Sequence, residues 1–114
     1  MSKNAAVEKS FAFSVRIVRL YQYLTKEKQE YVLAKQLLRC GTSVGANVSE
    51  AQFAQSKADF HAKMHIALKE ANETEYWLRL LHKTDYLSTS QFDSIYKDVD
   101  ELIRILASIC KNAH

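Results

Sequence analysis

RCGTSVGANVSEAQ, residues 39–52, contains both glycines of a chain that has no proline. Long apolar-periodic runs flank it on either side, so the stretch reads as helix rather than loop. Winding residues 37–51 at about 100° per residue separates three faces. Leu37, Cys40, Val44, Val48 and Ala51 form a core face. Arg39, Ser43, Asn47 and Glu50 fall on a polar face. Thr42, Gly45, Ala46 and Ser49 make a third face almost without side-chain bulk, with Gly41 at its border with the core. A glycine inside a helix costs about 1 kcal/mol relative to alanine, and close approach of another backbone is the usual compensation. The G-x-x-x-G spacing of Gly41 and Gly45 is a membrane-helix motif and says little here. More informative is that this helix is contacted on more than one side. A single bundle core supplies one contact face, so the second is either a subunit interface or an unusually tight approach of the first helix. The polar face reads as a hydrogen-bonded network that fixes how helices or subunits meet, the alternative being that Arg39, Ser43, Asn47 and Glu50 line a site. Glu50, on the same stripe, is a candidate to tie up Arg39.

Outward from this stretch, apolar spacing predicts four helices. The first runs from about Ser10 to Lys26 and carries two adjacent stripes, Phe11-Val15-Val18 and Phe13-Ile17-Leu20-Leu24, a face wider than a surface helix needs. Thr25 to Glu30 is the turn. The second helix runs from about Glu30 through Ala51. The third starts near Ser56, an N-cap with Asp59 in the first turn. It buries Phe60, Met64, Ala67, Leu68, Ala71, Leu78 and Leu81. The fourth starts at Ser88, where Gln91 three residues on completes a capping box. Its stripe is Phe92, Ile95, Val99, Leu102, Leu106 and Ile109. Asp59–Lys63, Glu75–Arg79, Asp93–Lys97 and Asp100–Arg104 are spaced as i,i+4 ion pairs. Four such helices with short connections can bury their stripes only against one another. The fold class is therefore all-α, an antiparallel up-down-up-down four-helix bundle, with residues 1–114 forming one domain.

Composition bounds the function. An apolar fraction of 47% with 25% charged residues fits a soluble globular protein. No apolar run approaches the roughly 18 residues of a membrane span. MSKNAAVEKSFAFSV lacks the apolar core and cleavage site of a signal peptide, so the cytoplasm is the expected compartment. There Cys40 and Cys110, both in apolar periodic segments, are expected to be buried thiols rather than a disulfide. The net charge of +3 is unevenly placed. Residues 1–57 hold nine Lys/Arg against four acids, and residues 58–114 hold seven against nine. A basic half of this kind marks a nucleic-acid face or a surface for an acidic partner.

Catalytic chemistry is hard to assemble. Both glycines lie in a helix, so no phosphate-cradling loop exists. His61 and His65 are i,i+4 but bring only two ligands, and no Glu-x-x-His pair occurs, so they are expected to be exposed and metal-free. Glu70, Glu73 and Glu75 precede Trp77 without any nucleophile and read as solvated or interface-paired acids. No cofactor is expected and no enzyme is read.

Gln36 to Gln52, QLLRCGTSVGANVSEAQ, resembles the Q-x-x-R-x-x-x-S-[IV]-x-A-N-[IV]-x-E signature of the small bacterial four-helix-bundle proteins related to the 23S rRNA intervening-sequence protein. Ser56 to Leu81 resembles that family's second block, with Ser-Lys, an aromatic at Phe60, Ala67-Leu68, Glu73 and a leucine-rich end. The likeness covers essentially the whole chain. It departs at Ala51-Gln52, where many members carry a glycine. The resemblance implies a four-helix bundle assembled into a ring, a homopentamer, and a link to nucleic acid. Some members are encoded within intervening sequences of ribosomal RNA genes, and a related protein is an accessory subunit of reverse transcriptases in diversity-generating retroelements. The motif residues Arg39, Ser43, Gly45, Asn47, Glu50 and Glu73 are then its packing and polar network.

The leading expectation is a homo-oligomeric, non-enzymatic protein that binds RNA or DNA through a basic surface formed by Arg16, Arg19, Lys26, Lys28 and Lys35. With no base-reading motif, aromatic stacking platform or glycine clamp in view, binding is expected to be largely sequence-independent. The alternative is a protein-protein scaffold, with a protein partner such as a reverse transcriptase, in which those cations only solvate the bundle.

Overall fold

The computed structural model describes residues 3–112. It consists of four α-helices, α1 (Lys3–Lys26), α2 (Val32–Ala51), α3 (Lys57–Lys83) and α4 (Thr89–Lys111). They pack side by side in an antiparallel bundle measuring 44 × 20 × 19 Å. Among the described residues each helix lies against its neighbours in the ring α1–α2–α3–α4 and across none of the diagonals. The core is one continuous apolar cluster, with Phe13, Ile17 and Leu24 from α1, Leu37, Val44 and Val48 from α2, Met64, Leu78 and Leu81 from α3, and Val99, Leu102 and Leu106 from α4 among its fully enclosed side chains. All five residues of the expected core face of α2 are buried, as are Ile95 and, beyond the expected stripe, Ile105 and Thr74.

Helix ends follow local chemistry. Ser56 Oγ accepts the Asp59 amide at 3.0 Å, and at Ser88 both hydrogen bonds of the capping box with Gln91 are made. The second helix starts at Val32 rather than Glu30. Tyr31 has no capping side chain, and the Glu30 carboxylate caps from outside, accepting the amides of Val32 at 3.3 Å and Ala34 at 2.9 Å. With both glycines inside α2, the turns must find left-handed backbone elsewhere. Gln29 takes φ 53° and Asp85 φ 71°.

The first helix departs most from expectation. It begins at Lys3, seven residues before Ser10, because Ala6 and Ser10 extend the buried stripe back along a strong helix-forming segment. Of its two apolar stripes only one faces the core. Phe11 is 70% exposed, Val15 45% and Val18 39%, an apolar band on the outside of the bundle.

The bulk-free face of α2 resolves into two parts. Gly41 and Gly45 turn toward α1. A Cβ on Gly41 would lie 2.8 Å from the branched carbons of Ile17, and one on Gly45 would lie 2.8 Å from Ser14 Oγ and 3.0 Å from the Ser10 carbonyl oxygen. Ser10 and Ser14 turn their hydroxyls back onto their own helix, to the carbonyls of Val7 and Ser10, so two small-residue surfaces meet at close range. Ala46 and Ser49 are exposed. The approach of α1 is thus the tight contact that the glycines permit.

Candidate nucleic-acid interface

The polar face of α2 meets α3. The Arg39 guanidinium donates to the Glu73 carboxylate and to Gln36 Oε1, and lies 3.5 Å from Glu70. Trp77 Nε1 donates to the same Glu73 oxygen at 3.0 Å. The Trp77 and Arg39 hydrogen bonds together hold the Glu73 carboxyl below its ordinary pKa, and Glu73 in turn keeps Arg39 charged. Glu50 is not the partner of Arg39. The two share a stripe but sit eleven residues apart, about 16 Å along the axis. Glu50 instead faces Lys63 at 4.0 Å. Between these pairs Asn47 Nδ2 donates to the carbonyl and hydroxyl of Ser43 at 2.9 and 3.1 Å. Gly45, the sixth motif residue, faces α1 instead.

Of the five proposed phosphate-facing cations, Arg19, Lys26, Lys28 and Lys35 are exposed on α1, the following turn and α2, without an ion-pair partner among the described residues. Glu30 in that segment is turned onto the α2 amides, leaving Glu27 as the nearby exposed acid. Arg16 is different. Its guanidinium pairs with Asp98 at 2.7 Å and donates to the Ser94 hydroxyl at 2.9 Å and carbonyl at 3.1 Å. With Lys9–Glu101 at 3.0 Å it ties α1 to α4.

The expected i,i+4 pairs divide. Asp59–Lys63 and Asp100–Arg104 close at 3.9 and 2.9 Å, whereas Glu75–Arg79 and Asp93–Lys97 form no ion pair. Glu75 faces the Tyr96 hydroxyl and pushes its pKa up. His65 is exposed, but His61 is half-buried, its Nδ1 enclosed without a hydrogen-bond partner. Among the described residues no group of three His, Cys, Asp or Glu side chains is placed to hold a metal ion, and no helix is long and apolar enough to cross a membrane. Cys40 and Cys110 are free thiols, and burial pushes both up in pKa.

Residues 2–108 match the family model described as the 23S rRNA-intervening sequence protein. The chain belongs to that family. Its fold is shared with a crystal structure of a protein of unknown function from the S23 ribosomal protein family of Bacteroides thetaiotaomicron VPI-5482. That protein is 54% identical, with a TM-score of 0.95 over 98% of this chain and 100% of the other. No curated protein matches the chain. The motif residues serve two contacts, Arg39 and Glu50 of the polar face toward α3 and Gly45 of the bulk-free face toward α1.

Sequence reasoning missed one group of exposed residues. Tyr76, Arg79 and Lys83 lie at i, i+3 and i+7 on α3 and come together with His82 and Phe92 around a surface depression. The helical spacing of an aromatic and two cations was the available signal.

Proposed function

We propose that this protein is a non-enzymatic, homo-oligomeric nucleic-acid-binding protein, a pentameric ring that holds RNA or DNA through the cations of α1, the first turn and α2. The observation that carries this reading is the grouping of Arg19, Lys26, Lys28 and Lys35, exposed and unpaired among the described residues, on one helix-turn-helix whose acid Glu30 is occupied as a helix cap. Cations held free of carboxylates neutralise phosphates and release their counterions. The exposed stripe Phe11, Val15 and Val18 supports assembly, since apolar surface of this kind is covered by a partner in interacting proteins. A ring repeats the basic segment in every copy and turns a modest charge into a strong field. The family's link to ribosomal RNA intervening sequences agrees with this reading.

The test is light scattering followed by a salt titration of binding to structured RNA and duplex DNA. We expect a particle of about five times the 13.1 kDa chain mass and an affinity that falls steeply with salt. Phe11→Asp should dissociate it. A monomer at micromolar concentration removes the ring. No retention on either nucleic acid at low salt removes the binding, and leaves a scaffold whose protein partner, such as a reverse transcriptase, takes the Phe11 stripe.

A further inference from the structure

The up-down topology puts the α1–α2 and α3–α4 turns at the same end of the bundle. The basic segment of α1 and α2 is therefore continued at that end by the last turns of α3. There Tyr76, Arg79, Leu80, His82, Lys83 and Phe92 line an open depression of about 450 Å³. Its aromatic character is organised. The His82 ring stacks on Phe92 with centroids 4.5 Å apart and planes 9° apart, and Phe92 leads on to Tyr96 at 5.3 Å. His82 Nε2 is 3.2 Å from Thr89 Oγ1, across the α3–α4 turn. Tyr76 stands edge-on to Trp77 at 5.1 Å and remains 57% exposed. No acidic side chain lines the depression, and Arg79 and Lys83 have no ion-pair partner among the described residues. Asp85 and Asp93 are exposed acids of the same end, outside the lining.

An exposed ring beside two unpaired cations suits a ligand with a flat face and an anionic tether. The ring offers its π-face to a base, and the cations take phosphates. Arg79 and Lys83 are one helical turn apart, about 6 Å along the axis, so they can serve successive phosphates of a strand rather than one group. In a duplex the faces of the bases are stacked on each other and closed to the protein. We propose that this depression is a stacking subsite for an unpaired nucleobase of a single-stranded nucleic acid, with Tyr76 and the His82–Phe92 pair against the base and Arg79 and Lys83 on the flanking phosphates. The proposal rests on the nucleic-acid reading above and refines it. The α1–α2 cations hold the backbone of any strand, and this end of α3 favours strands with unpaired bases. RNA and DNA share the base and phosphate that the subsite recognises.

Fluorescence anisotropy at low salt with labelled oligo(U), oligo(dT) and a duplex of equal total charge tests this on the intact oligomer. The variants are Tyr76→Ala, Tyr76→Phe and the double variant Arg19→Glu/Lys28→Glu, each checked by circular dichroism and sedimentation. We expect the wild type to prefer the single strands. Tyr76→Ala should weaken single-strand binding about five-fold or more while leaving duplex binding unchanged, and Tyr76→Phe should retain it. The Arg19/Lys28 variant should weaken both. The relative response to oligo(U) and oligo(dT) assigns the strand to RNA or DNA. Equal wild-type affinity for single strands and duplex, with no effect of Tyr76→Ala, overturns the subsite and leaves the nucleic-acid reading intact. Tyr76→Ala altering sedimentation but not single-strand affinity makes this face a subunit contact and also overturns it. No wild-type binding to any probe removes the nucleic-acid reading itself, and the subsite with it.

Discussion

Gly45 sits so close to Ser10 that a single added carbon would fall 3.0 Å from the Ser10 carbonyl oxygen, a backbone atom that cannot rotate away. Alanine is the better helix former by about 1 kcal/mol, yet the clash reverses that preference. Gly45→Ala should lower stability by about 1–2 kcal/mol, and Gly45→Leu by more, because overpacking costs on that order. Chemical denaturation measures both. A Gly45→Leu variant with an unchanged melting temperature and assembly state would mean that α1 does not pack on this face.

The Arg39–Glu73–Trp77 network makes stability depend on acid. Glu73 accepts from Trp77 and Arg39 as a carboxylate, so its folded pKa lies below the unfolded value of about 4.5. The depressed pKa contributes stability that is fully present above 4.5 and lost as pH falls through the folded value. Melting temperature should therefore drop below pH 4.5 in the wild type. Glu73→Gln should be less stable at neutral pH and show a flatter profile in that acid range. Parallel slopes for the two proteins would place the acid sensitivity elsewhere.

Residues 37–51 disclose their core face because helical periodicity is a local property, and all five expected positions are buried. The Ser56 and Ser88 caps are legible for the same reason, since each bond spans three residues. Periodicity cannot decide which of the two apolar stripes of α1 turns inward. That depends on where α2 and α4 lie, and Phe11, Val15 and Val18 are outside. Ala6 and Ser10 escape a periodicity reading because small side chains carry little hydrophobic signal. The Arg16–Asp98 pair joins residues 82 apart in sequence, and the aromatic depression needs Phe92 of α4 brought against His82 of α3. No spacing rule reaches across those distances. Gln36 with Arg39 and Asn47 with Ser43 are within reach of helical spacing. The pairing of Arg39 with Glu73 follows only from the packing of α2 on α3.

The turns offer a separate test. Gln29 adopts φ 53° with a full side chain, and non-glycine residues in left-handed backbone cost about 1–2 kcal/mol. Glycine relieves this but adds freedom to the unfolded chain, so Gln29→Gly should raise stability by up to about 1 kcal/mol. Asp85, at φ 71°, belongs to a residue type that tolerates this region, and Asp85→Gly should gain less. Thermal melts of the two variants rank them, and an equal or reversed order would show that backbone strain does not control these turns.

Charge reversal at Arg16 and at Arg19 should have different consequences, although the two residues are three apart on one helix. Arg16 and Asp98 are each about 41% exposed and are hydrogen-bonded across the α1–α4 seam, where Ser94 adds two further acceptors. Arg16→Glu removes those bonds and sets a carboxylate against Asp98, so it should destabilise the fold by about 1 kcal/mol. Arg19 has no ionic partner among the described residues, and Arg19→Glu should shift stability by less than about 0.5 kcal/mol. On the proposed nucleic-acid function the order should reverse. Arg16 is already neutralised by Asp98, whereas Arg19 is free to meet a phosphate. Arg19→Glu should weaken binding and reduce the slope of log affinity against log salt by about one for each phosphate no longer neutralised. Denaturation and salt titration of the same two variants separate the roles. Should Arg16→Glu leave stability untouched and abolish binding, Arg16 leaves Asp98 for phosphate in the complex, and the α1–α4 seam becomes part of the interface.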